Sequence, residues 1–211
     1  MDLSDLRQSY TKGSFSESDL LACPFAQFEK WFREAEHCDL EEPNAMCLAT
    51  ADPNGLPSAR IVLLKEFSEK GLTFYTNYES RKARQLENNP WATMHFPWFF
   101  MERQVVVSGT VGKVVSAVSE EYFRSRPLMS KLGAWASRQS EELDSRETLE
   151  RSFLEAREKW GEDPPKPEHW GGYSLNPESI EFWQGGPSRL HDRFIYKQES
   201  GEDWTIQRYF P

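Results

Sequence analysis

The sequence of 211 residues predicts an α+β domain built on a barrel or on a strongly curved antiparallel sheet. Short strand-like segments separated by turns fill much of the first half, a helical stretch over about 117–160 follows, and further strand-like segments come after it. Those last segments must return to the sheet begun by the first ones. The sequence lacks the strand-helix alternation and GxGxxG turn of a Rossmann fold, and it lacks the GxxxxGK[ST] motif of a P-loop.

The N-terminal part divides into an arm and a helix. Residues 1–22 are polar and are predicted to form an arm that is ordered where it packs on something and mobile otherwise, followed by a single domain of residues 23–211. Apolar side chains then recur at steps of three and four residues, which predicts an amphipathic helix over 24–37 with Pro24 in its first turn. They are Phe25, Phe28, Trp31, Phe32 and Ala35.

The segments that follow alternate between strand and turn character. They predict strands over 45–51, 59–67, 72–77, 92–97 and 103–115, with a short helix over 79–89. Gly109 and Gly112 are predicted bulges or bends in the last of these strands.

In the second half, Pro127 must end one helix or begin another. The charged segment 145–160 carries an apolar stripe, as expected of a half-solvated helix that covers the sheet. A loop is predicted over 161–172, and strands over 179–184, 193–197 and 204–208, with a turn over 198–203.

Composition and charge exclude several classes of protein. The net charge is −9, so a general nucleic-acid binder is disfavoured and any anion site must be local. No segment approaches the roughly 18 apolar residues of a membrane span, and the N-terminus has no basic-then-apolar export pattern. The three cysteines, an odd number without CxxC spacing, favour free buried thiols in a reducing cytoplasm. No metal site is expected, because His37, His95 and His169 lack ligand spacing.

The basic residues are bunched rather than spread, which is what a phosphate site requires. Segment 75–82 places hydroxyls together with Arg81 and Lys82 where a strand runs into a helix N-terminus, a favourable location for an anion. A solvated helix face explains these residues equally well. In 60–65, strand alternation puts Lys65 on the face of Ile61 and Leu63, where it either snorkels at a sheet edge or lies near a ligand.

Segment 180–194 combines aromatic residues, a glycine pair and basic side chains. On a strand, Arg189, His191 and Arg193 would share one face, and an anion between them would relieve their repulsion. Signatures of nucleophilic catalysis such as GxSxG and HExxH are missing from the sequence, so a bound cofactor would have to supply redox chemistry. The residues alone indicate a phosphorylated, planar, aromatic ligand.

Motifs along nearly the whole chain resemble those of the pyridoxamine/pyridoxine 5′-phosphate oxidase family. They are RIVLLK (60–65), FYTNYESRK (74–82), ERQVVVSG (102–109), YFRSRP (122–127), SKLGAWASRQS (130–140), WGGY (170–173), IEFWQGGPSRLHDR (180–193) and the terminal W…RYFP (204–211). The resemblance implies an FMN-binding split β-barrel and a homodimer with FMN at the subunit interface. The chain departs mildly from the family in ending RYFP rather than Arg-Leu-Ala-Pro and in the aromatic richness of 98–104.

The resemblance also implies which residues form the site. The FMN phosphate would be held by Arg60, Arg81, Lys82, Thr76 and Ser140, with further cofactor contacts from Ile61, Val62, Leu63, Leu64, Lys65, Tyr75, Gln104, Gln139, Trp183 and Arg193. The substrate phosphate would be met by Lys65, Tyr122, Arg126 and Ser130. Arg189 and His191 would flank the substrate ring and act as the catalytic residues.

The implied activity is oxidation of pyridoxamine 5′-phosphate and pyridoxine 5′-phosphate by dioxygen to pyridoxal 5′-phosphate, with hydrogen peroxide and, from the amine, ammonia. Such an enzyme serves vitamin B6 biosynthesis and salvage. Arg7 and Tyr10 of the arm would close over the site, so a truncation lacking residues 1–15 is expected to keep FMN and to bind substrate more weakly. The alternatives are a split-barrel flavoprotein with another substrate and a non-catalytic carrier of pyridoxal phosphate.

Overall fold

The computed structural model describes residues 1–6, 8–38, 40–198 and 203–211, and there it shows one nine-stranded antiparallel sheet with five α-helices. The strands are β1 (Ala45–Ala51), β2 (Pro57–Leu63), β3 (Glu66–Ser68), β4 (Gly71–Asn77), β5 (Trp91–Trp98), β6 (Arg103–Lys113), β7 (Trp170–Gln184), β8 (Asp192–Gln198) and β9 (Trp204–Arg208). The helices are α1 (Pro24–Glu36), α2 (Arg81–Asn88), α3 (Ser116–Ser125), α4 (Leu128–Ala136) and α5 (Arg146–Trp160). The predicted α+β class is confirmed.

Strand β7 organises the sheet. The strand order is β2-β1-β5-β6-β7-β4-β3, with β8 paired to β7 and β9 to β8. The first part of β7 pairs with β4, and its last part pairs with β8, while β6 runs along the other edge of β7. Since β4 and β8 take different halves of one 15-residue strand, the two ends of β7 belong to separate regions of the molecule.

The helices begin and end where local chemistry requires it. Pro24 opens α1, whose buried face includes Phe28 and Trp31. The Ser80 side chain caps α2 by accepting from the Ala83 N–H, and the Ser145 side chain caps α5 in the same way. Pro127 separates α3 from α4, as the sequence predicts.

Two predicted segments and one predicted bulge were wrong. Segment 59–67 divides into β2 and β3, because the chain leaves the ladder after Leu63 and Leu64 enters the core. The loop predicted over 161–172 ends earlier, since β7 starts at Trp170 and runs without interruption to Gln184. A register shift occurs at Gly109, as predicted, whereas Gly112 pairs regularly with Ser174. Most of the predicted turn over 198–203 lies outside the described residues.

The arm contributes to the aromatic core. Phe15 is 2% exposed, and its ring centroid lies 4.9 Å from that of Trp31 and 5.1 Å from that of Phe194. The backbone N–H groups of Thr11 and Lys12 donate to the Glu102 carboxylate at 2.8 and 2.9 Å. A truncation through residue 15 would therefore remove a core side chain, so a test of the arm's function must stop before Phe15.

Candidate active site

A first cleft, of about 510 Å³, lies between β2, β4 and the start of α2. We call it the cation cleft. It is lined by Ser58, Ala59, Arg60, Ile61, Val62, Tyr75, Thr76, Arg81, Lys82, Gln139 and Ser140. It thus brings together nine of the residues that the family resemblance assigns to cofactor binding.

Lys82 is the most deeply buried cation of this cleft, with an exposed fraction of 7%. Its Nζ donates to Thr76 Oγ1 at 2.9 Å, Gln139 Oε1 at 2.8 Å and Ser80 Oγ at 3.3 Å, all of them uncharged acceptors. Burial, and secondarily the neighbouring Arg60, lowers the pKa of Lys82 from 10.5 to about 8. A buried ammonium without a counter-charge is costly, and an anion in the cleft would relieve that cost.

Arg60 points into the same cleft from β2. Its guanidinium donates to the Leu48 carbonyl at 3.1 Å, to Thr50 Oγ1 at 2.6 Å and to the Ser58 hydroxyl. Burial and the charge of Arg81 lower the pKa of Arg60. Among the residues that the structure describes, no carboxylate forms an ion pair with these cations or with Lys82. Two guanidinium groups, the Lys82 ammonium group and the N-terminus of α2 together suit the binding of a phosphate dianion.

Gln139 and Ser140 reach the cleft from the segment between α4 and α5. Ser140 has a φ of 76°, an unusual value for a residue other than glycine. Such strain is concentrated at functional sites, and it here turns the chain so that a serine faces the cations. Sequence periodicity gives no sign of this turn, and the family resemblance alone identified both residues.

A second cleft, of about 380 Å³, adjoins the first. We call it the aromatic cleft; Tyr75, Thr76, Asn77, Arg126, Ser130, Gly133, Ala134, Ser137, Gln139 and Trp170 line it. The Tyr75 ring stacks on Tyr122 at 3.9 Å and on Trp170 at 5.4 Å between centroids. Burial raises the pKa of Tyr75 to about 12, so its hydroxyl stays protonated at neutral pH.

Gly172 permits this stacking. A Cβ at Gly172 would lie 2.8 Å from Cε1 of the Tyr75 ring, closer than real contacts allow. The second glycine of the WGGY motif therefore lets the Tyr75 ring lie against β7, beside the Trp170 ring.

Arg126 is the cation that lines the aromatic cleft. Its guanidinium carbon lies 4.6 Å from the Trp170 ring centroid, and its Nη1 is buried without a hydrogen-bond partner. Burial lowers the pKa of Arg126, and none of the described carboxylates pairs with it. An unpaired buried guanidinium N–H is expensive, and an anionic ligand in this cleft would satisfy it.

A third cleft, of about 580 Å³, lies at the far end of β7. We call it the arm cleft; its lining comprises Leu6, Gln8, Ser9, Tyr10, Gln104, Trp183, Gly186, Ser188, Arg189 and His191. The Tyr10 ring packs edge-on against the rings of Trp183 and His191, with centroid distances of 5.8 and 5.6 Å. Gly185 makes room for it, since a Cβ there would lie 2.8 Å from the Tyr10 ring. Arg7, the other arm residue singled out by the sequence, lies outside the described residues.

One hydrogen bond determines the tautomer of the neutral His191 ring. The Gly186 N–H donates to His191 Nδ1 at 3.0 Å, so Nδ1 must carry a lone pair. The neutral ring therefore has its proton on Nε2, which leaves an N–H donor for a ligand.

The prediction that Arg189, His191 and Arg193 share one strand face was wrong. Arg189 lies in a 3₁₀ turn before β8, with a φ of 63° after Ser188 at 55°. Arg193 does lie on β8, where it forms an ion pair with Glu181 at 2.8 Å, and this hydrogen bond raises the Arg193 pKa. The turn, rather than strand alternation, directs Arg189 and His191 into the same cleft.

The remaining predicted residues are distributed as follows. Tyr122 stacks at the aromatic cleft, while Leu63, Leu64 and Lys65 are absent from the described linings of all three clefts. Lys65 follows β2 and is exposed to solvent, with its backbone N–H bound to the Thr73 carbonyl at 2.9 Å. Gln104 lines the arm cleft, and its side-chain oxygen lies 2.9 Å from His95 Nε2.

The aromatic cleft and the arm cleft lie along different parts of β7. Gly172 pairs with Tyr75 beside the aromatic cleft, and Trp183 lines the arm cleft eleven residues further along β7 (183 − 172). A strand of that length spans up to roughly 36 Å. The two clefts therefore lie at opposite ends of β7 in the same chain.

The sequence assigns no role in the site to Trp170, Gln85, Thr50 or His95. Trp170 enters only as part of the WGGY motif and His95 only as a histidine without ligand spacing, although each contacts a residue of the candidate site. Within the described residues, no group of three His, Cys, Asp or Glu side chains is arranged to hold a metal, and no helix has the length and apolarity to cross a bilayer. The three cysteines are half-buried free thiols.

Comparison with known proteins identifies relatives along nearly the whole chain. Residues 32–160 match the family model described as pyridoxamine 5′-phosphate oxidase, and residues 170–211 match that of the pyridoxine 5′-phosphate oxidase C-terminal dimerisation region. The chain is 54% identical over 209 residues to the pyridoxine/pyridoxamine 5′-phosphate oxidase of Cupriavidus necator, covering 99% of both chains. It is also 54% identical over 211 residues to that of Bordetella pertussis, covering 100% of both.

Two solved structures share the fold. PhzG from Burkholderia lata 383, in complex with tetrahydrophenazine-1-carboxylic acid, has a TM-score of 0.89 at 30% identity, over 97% of this chain and 100% of that one. A pyridoxamine 5′-phosphate oxidase-related, FMN-binding protein from Nostoc punctiforme has a TM-score of 0.72 at 18% identity, over 91% and 100% of the two chains. The predicted split-barrel fold is confirmed. With a family model matched over residues 32–160 and relatives more than half identical along its length, the chain belongs to the pyridoxine/pyridoxamine 5′-phosphate oxidase family.

Proposed function

We propose that the three clefts carry out FMN-dependent oxidation of pyridoxamine 5′-phosphate and pyridoxine 5′-phosphate to pyridoxal 5′-phosphate. One observation carries this proposal: two adjoining clefts share Tyr75, Thr76 and Gln139. The first holds the buried Lys82 and the second holds Arg126 with its buried Nη1, and neither cation has an anionic partner among the described residues. Two neighbouring anion sites fit a phosphorylated cofactor beside a phosphorylated substrate. A flavoprotein acting on a substrate without phosphate would not need the second site.

The cation cleft fits the FMN phosphate. Lys82, Arg60 and Arg81 would bind its oxygens, and the hydroxyls of Thr76 and Ser140 would add hydrogen bonds. Bound FMN would take two electrons from the substrate carbon and pass them to dioxygen, with release of hydrogen peroxide.

The aromatic cleft fits the substrate phosphate. Arg126 would donate its unpaired Nη1–H, and Ser130 and Tyr122 lie on the helices that flank it. Filling this site would satisfy a guanidinium that is otherwise unpaired, which favours phosphorylated over unphosphorylated substrates.

A second copy of the chain would complete the site. The outer face of β1, β2, β5 and β6 is half-exposed, and Ile61 on it is 63% exposed, so this face offers an apolar surface to a partner. Residues 170–211, which match a dimerisation region, include the Trp183, Arg189 and His191 of the arm cleft. We infer a homodimer in which the arm cleft of one protomer faces the cation cleft of the other across the cofactor.

Arg189 and His191 would then act on the substrate ring. The Gly186 N–H fixes the neutral His191 ring with its proton on Nε2, and the turn at Ser188 and Arg189 presents the guanidinium beside it. These donors would orient the ring and stabilise negative charge near the reacting carbon.

An aerobic assay of FMN-loaded protein tests the function. Pyridoxamine 5′-phosphate should give aldehyde and hydrogen peroxide in equal amounts, and pyridoxamine without its phosphate should react far more slowly. A yellow protein that produces neither product would indicate another substrate. Tight binding of pyridoxal 5′-phosphate without turnover would indicate a carrier.

Binding of FMN should weaken as the pH rises above about 8. Because the pKa of Lys82 is lowered to about 8, the side chain is charged below that pH and loses its proton above it. The phosphate then loses one attractive charge, and the affinity should fall by up to about tenfold per pH unit. Titration of the cofactor-free protein by flavin fluorescence from pH 7 to 9.5 measures this. Riboflavin, which lacks the phosphate, should show little change, and an equal decline for both flavins would contradict the assignment.

Removal of residues 1–12 should leave FMN binding intact and raise KM for pyridoxamine 5′-phosphate roughly fivefold, because the Tyr10 ring no longer covers Trp183 and His191. This cut retains Phe15 in the core, so the melting temperature serves as a control for folding. A KM equal to that of the full chain would remove the arm from the substrate site.

A further inference from the structure

Gln85 lies on the buried face of α2, one helical turn after Lys82, and is not among the residues that line either cleft. We propose that it is a positioning residue for the cofactor phosphate: it fixes Arg60 through two hydroxyls and so increases the preference for FMN over riboflavin. This inference rests on the proposed function, because it concerns the same phosphate site.

The contacts form a closed ring. Arg60 donates to Thr50 Oγ1 at 2.6 Å and to the Ser58 hydroxyl. Both hydroxyls lie within hydrogen-bond distance of Gln85 Oε1, Thr50 at 2.6 Å and Ser58 at 2.7 Å. The amide oxygen of Gln85 thus accepts from both of the hydroxyls that bind the two terminal nitrogens of Arg60.

The direction of every hydrogen bond in the ring is determined. A guanidinium has donors and no acceptor, so each hydroxyl must accept from Arg60 and has its own proton left to donate. Gln85 Oε1 takes both protons, which completes the ring. If the amide were turned to present its NH₂ group, each hydroxyl would face two donors and its proton would lose this acceptor.

The ring joins three elements, and two of its residues are buried. Thr50 on β1 is 3% exposed, and Gln85 is 5% exposed. Ser58 and Arg60 belong to β2, whereas Gln85 and Lys82 belong to α2 and lie three residues apart. The ring therefore sets the position of Arg60 relative to Lys82, and two cations held at fixed separation bind a phosphate better than two that move independently.

Gln85→Met tests the proposal, since methionine has similar length and no acceptor. The expected result is a Kd for FMN raised roughly tenfold, with the Kd for riboflavin changed less than twofold. Flavin fluorescence quenching on the cofactor-free protein measures both. Glu87→Met, on the exposed face of the same helix, is the matched control and should leave both values unchanged. Equal weakening of both flavins would mean a general structural role and would overturn the proposal.

A double-mutant cycle provides the second test. If Gln85 acts through Arg60, adding Gln85→Met to Arg60→Met should weaken FMN binding by less than twofold beyond Arg60→Met alone. Full additivity of the two losses would contradict the proposal. Should Gln85→Met fold poorly, Thr50→Val removes one link with nearly the same shape, and the same cycle with Arg60→Met applies.

The outcomes separate this inference from the proposed function. Wild-type protein that fails to bind FMN would refute the function itself. Wild-type protein that binds FMN normally, together with an unaffected Gln85→Met variant, would refute only the role of Gln85.

Discussion

Lys82→Met is expected to weaken FMN binding by about 100-fold, because it removes a charge-assisted hydrogen bond to the phosphate in a buried setting. The same substitution should make the cofactor-free protein more stable, by roughly 1–2 kcal/mol, or about 3–6 °C in melting temperature. A residue whose removal stabilises the fold while destroying ligand affinity is retained for binding.

The stability gain follows from the lowered pKa. Lys82 titrates at about 8 in the folded protein and near 10.5 when unfolded, so the unfolded chain binds more protons between these values. Below pH 8 the buried charge of Lys82 therefore lowers the free energy of unfolding, and this destabilisation decreases as the pH rises above 8. Methionine removes the buried charge, and the Thr76 hydroxyl still donates to Gln139 Oε1 at 3.1 Å.

Two measurements on cofactor-free protein check this prediction: flavin titration and thermal unfolding at pH 7 and pH 9. The variant should be more stable than wild type at pH 7, with a smaller difference at pH 9. Lys70→Met, which replaces an exposed lysine of the β3–β4 turn, is the matched control and should change neither property. A Lys82→Met protein that is less stable than wild type, or one that binds FMN normally, would contradict the assignment of Lys82 as an unpaired cation that binds the phosphate.

The sequence predicted those features that depend on local pattern. The spacing of Phe28, Trp31 and Ala35 located α1, and the alternation in 45–51 located β1 with its observed bounds. At the junction of β4 and α2, hydroxyls and cations next to a helix start predicted either an anion site or a solvated helix face, and the structure buries Lys82 there in contact with Thr76.

The features that escaped prediction depend on contacts between distant segments or on single backbone angles. The stack of Tyr75, Tyr122 and Trp170 draws on β4, α3 and β7, and no local period connects those segments. Arg189 enters the arm cleft because of a positive φ, which strand alternation could not anticipate.

Mixing two inactive variants should restore activity if each active site draws on both protomers. In Arg126→Met the aromatic cleft is damaged, and in His191→Ala the arm cleft is damaged, so each homodimer should lose about 100-fold in kcat/KM. A heterodimer containing one chain of each kind has one site built from an intact aromatic cleft and an intact arm cleft. Heterodimer isolated with two different affinity tags should therefore show about half of the wild-type rate.

The matched control places both substitutions in one chain and pairs it with a wild-type chain. If sites form across the interface, each site of this heterodimer receives one damaged cleft, and the activity should stay near that of the parent variants. If instead each chain builds its own site, the outcomes reverse. The heterodimer of the doubly substituted chain with a wild-type chain then keeps one intact site, and the heterodimer of Arg126→Met with His191→Ala has none. The position of the aromatic and arm clefts at opposite ends of β7 favours the first outcome, because a partner chain can bring the two kinds of cleft together across the interface.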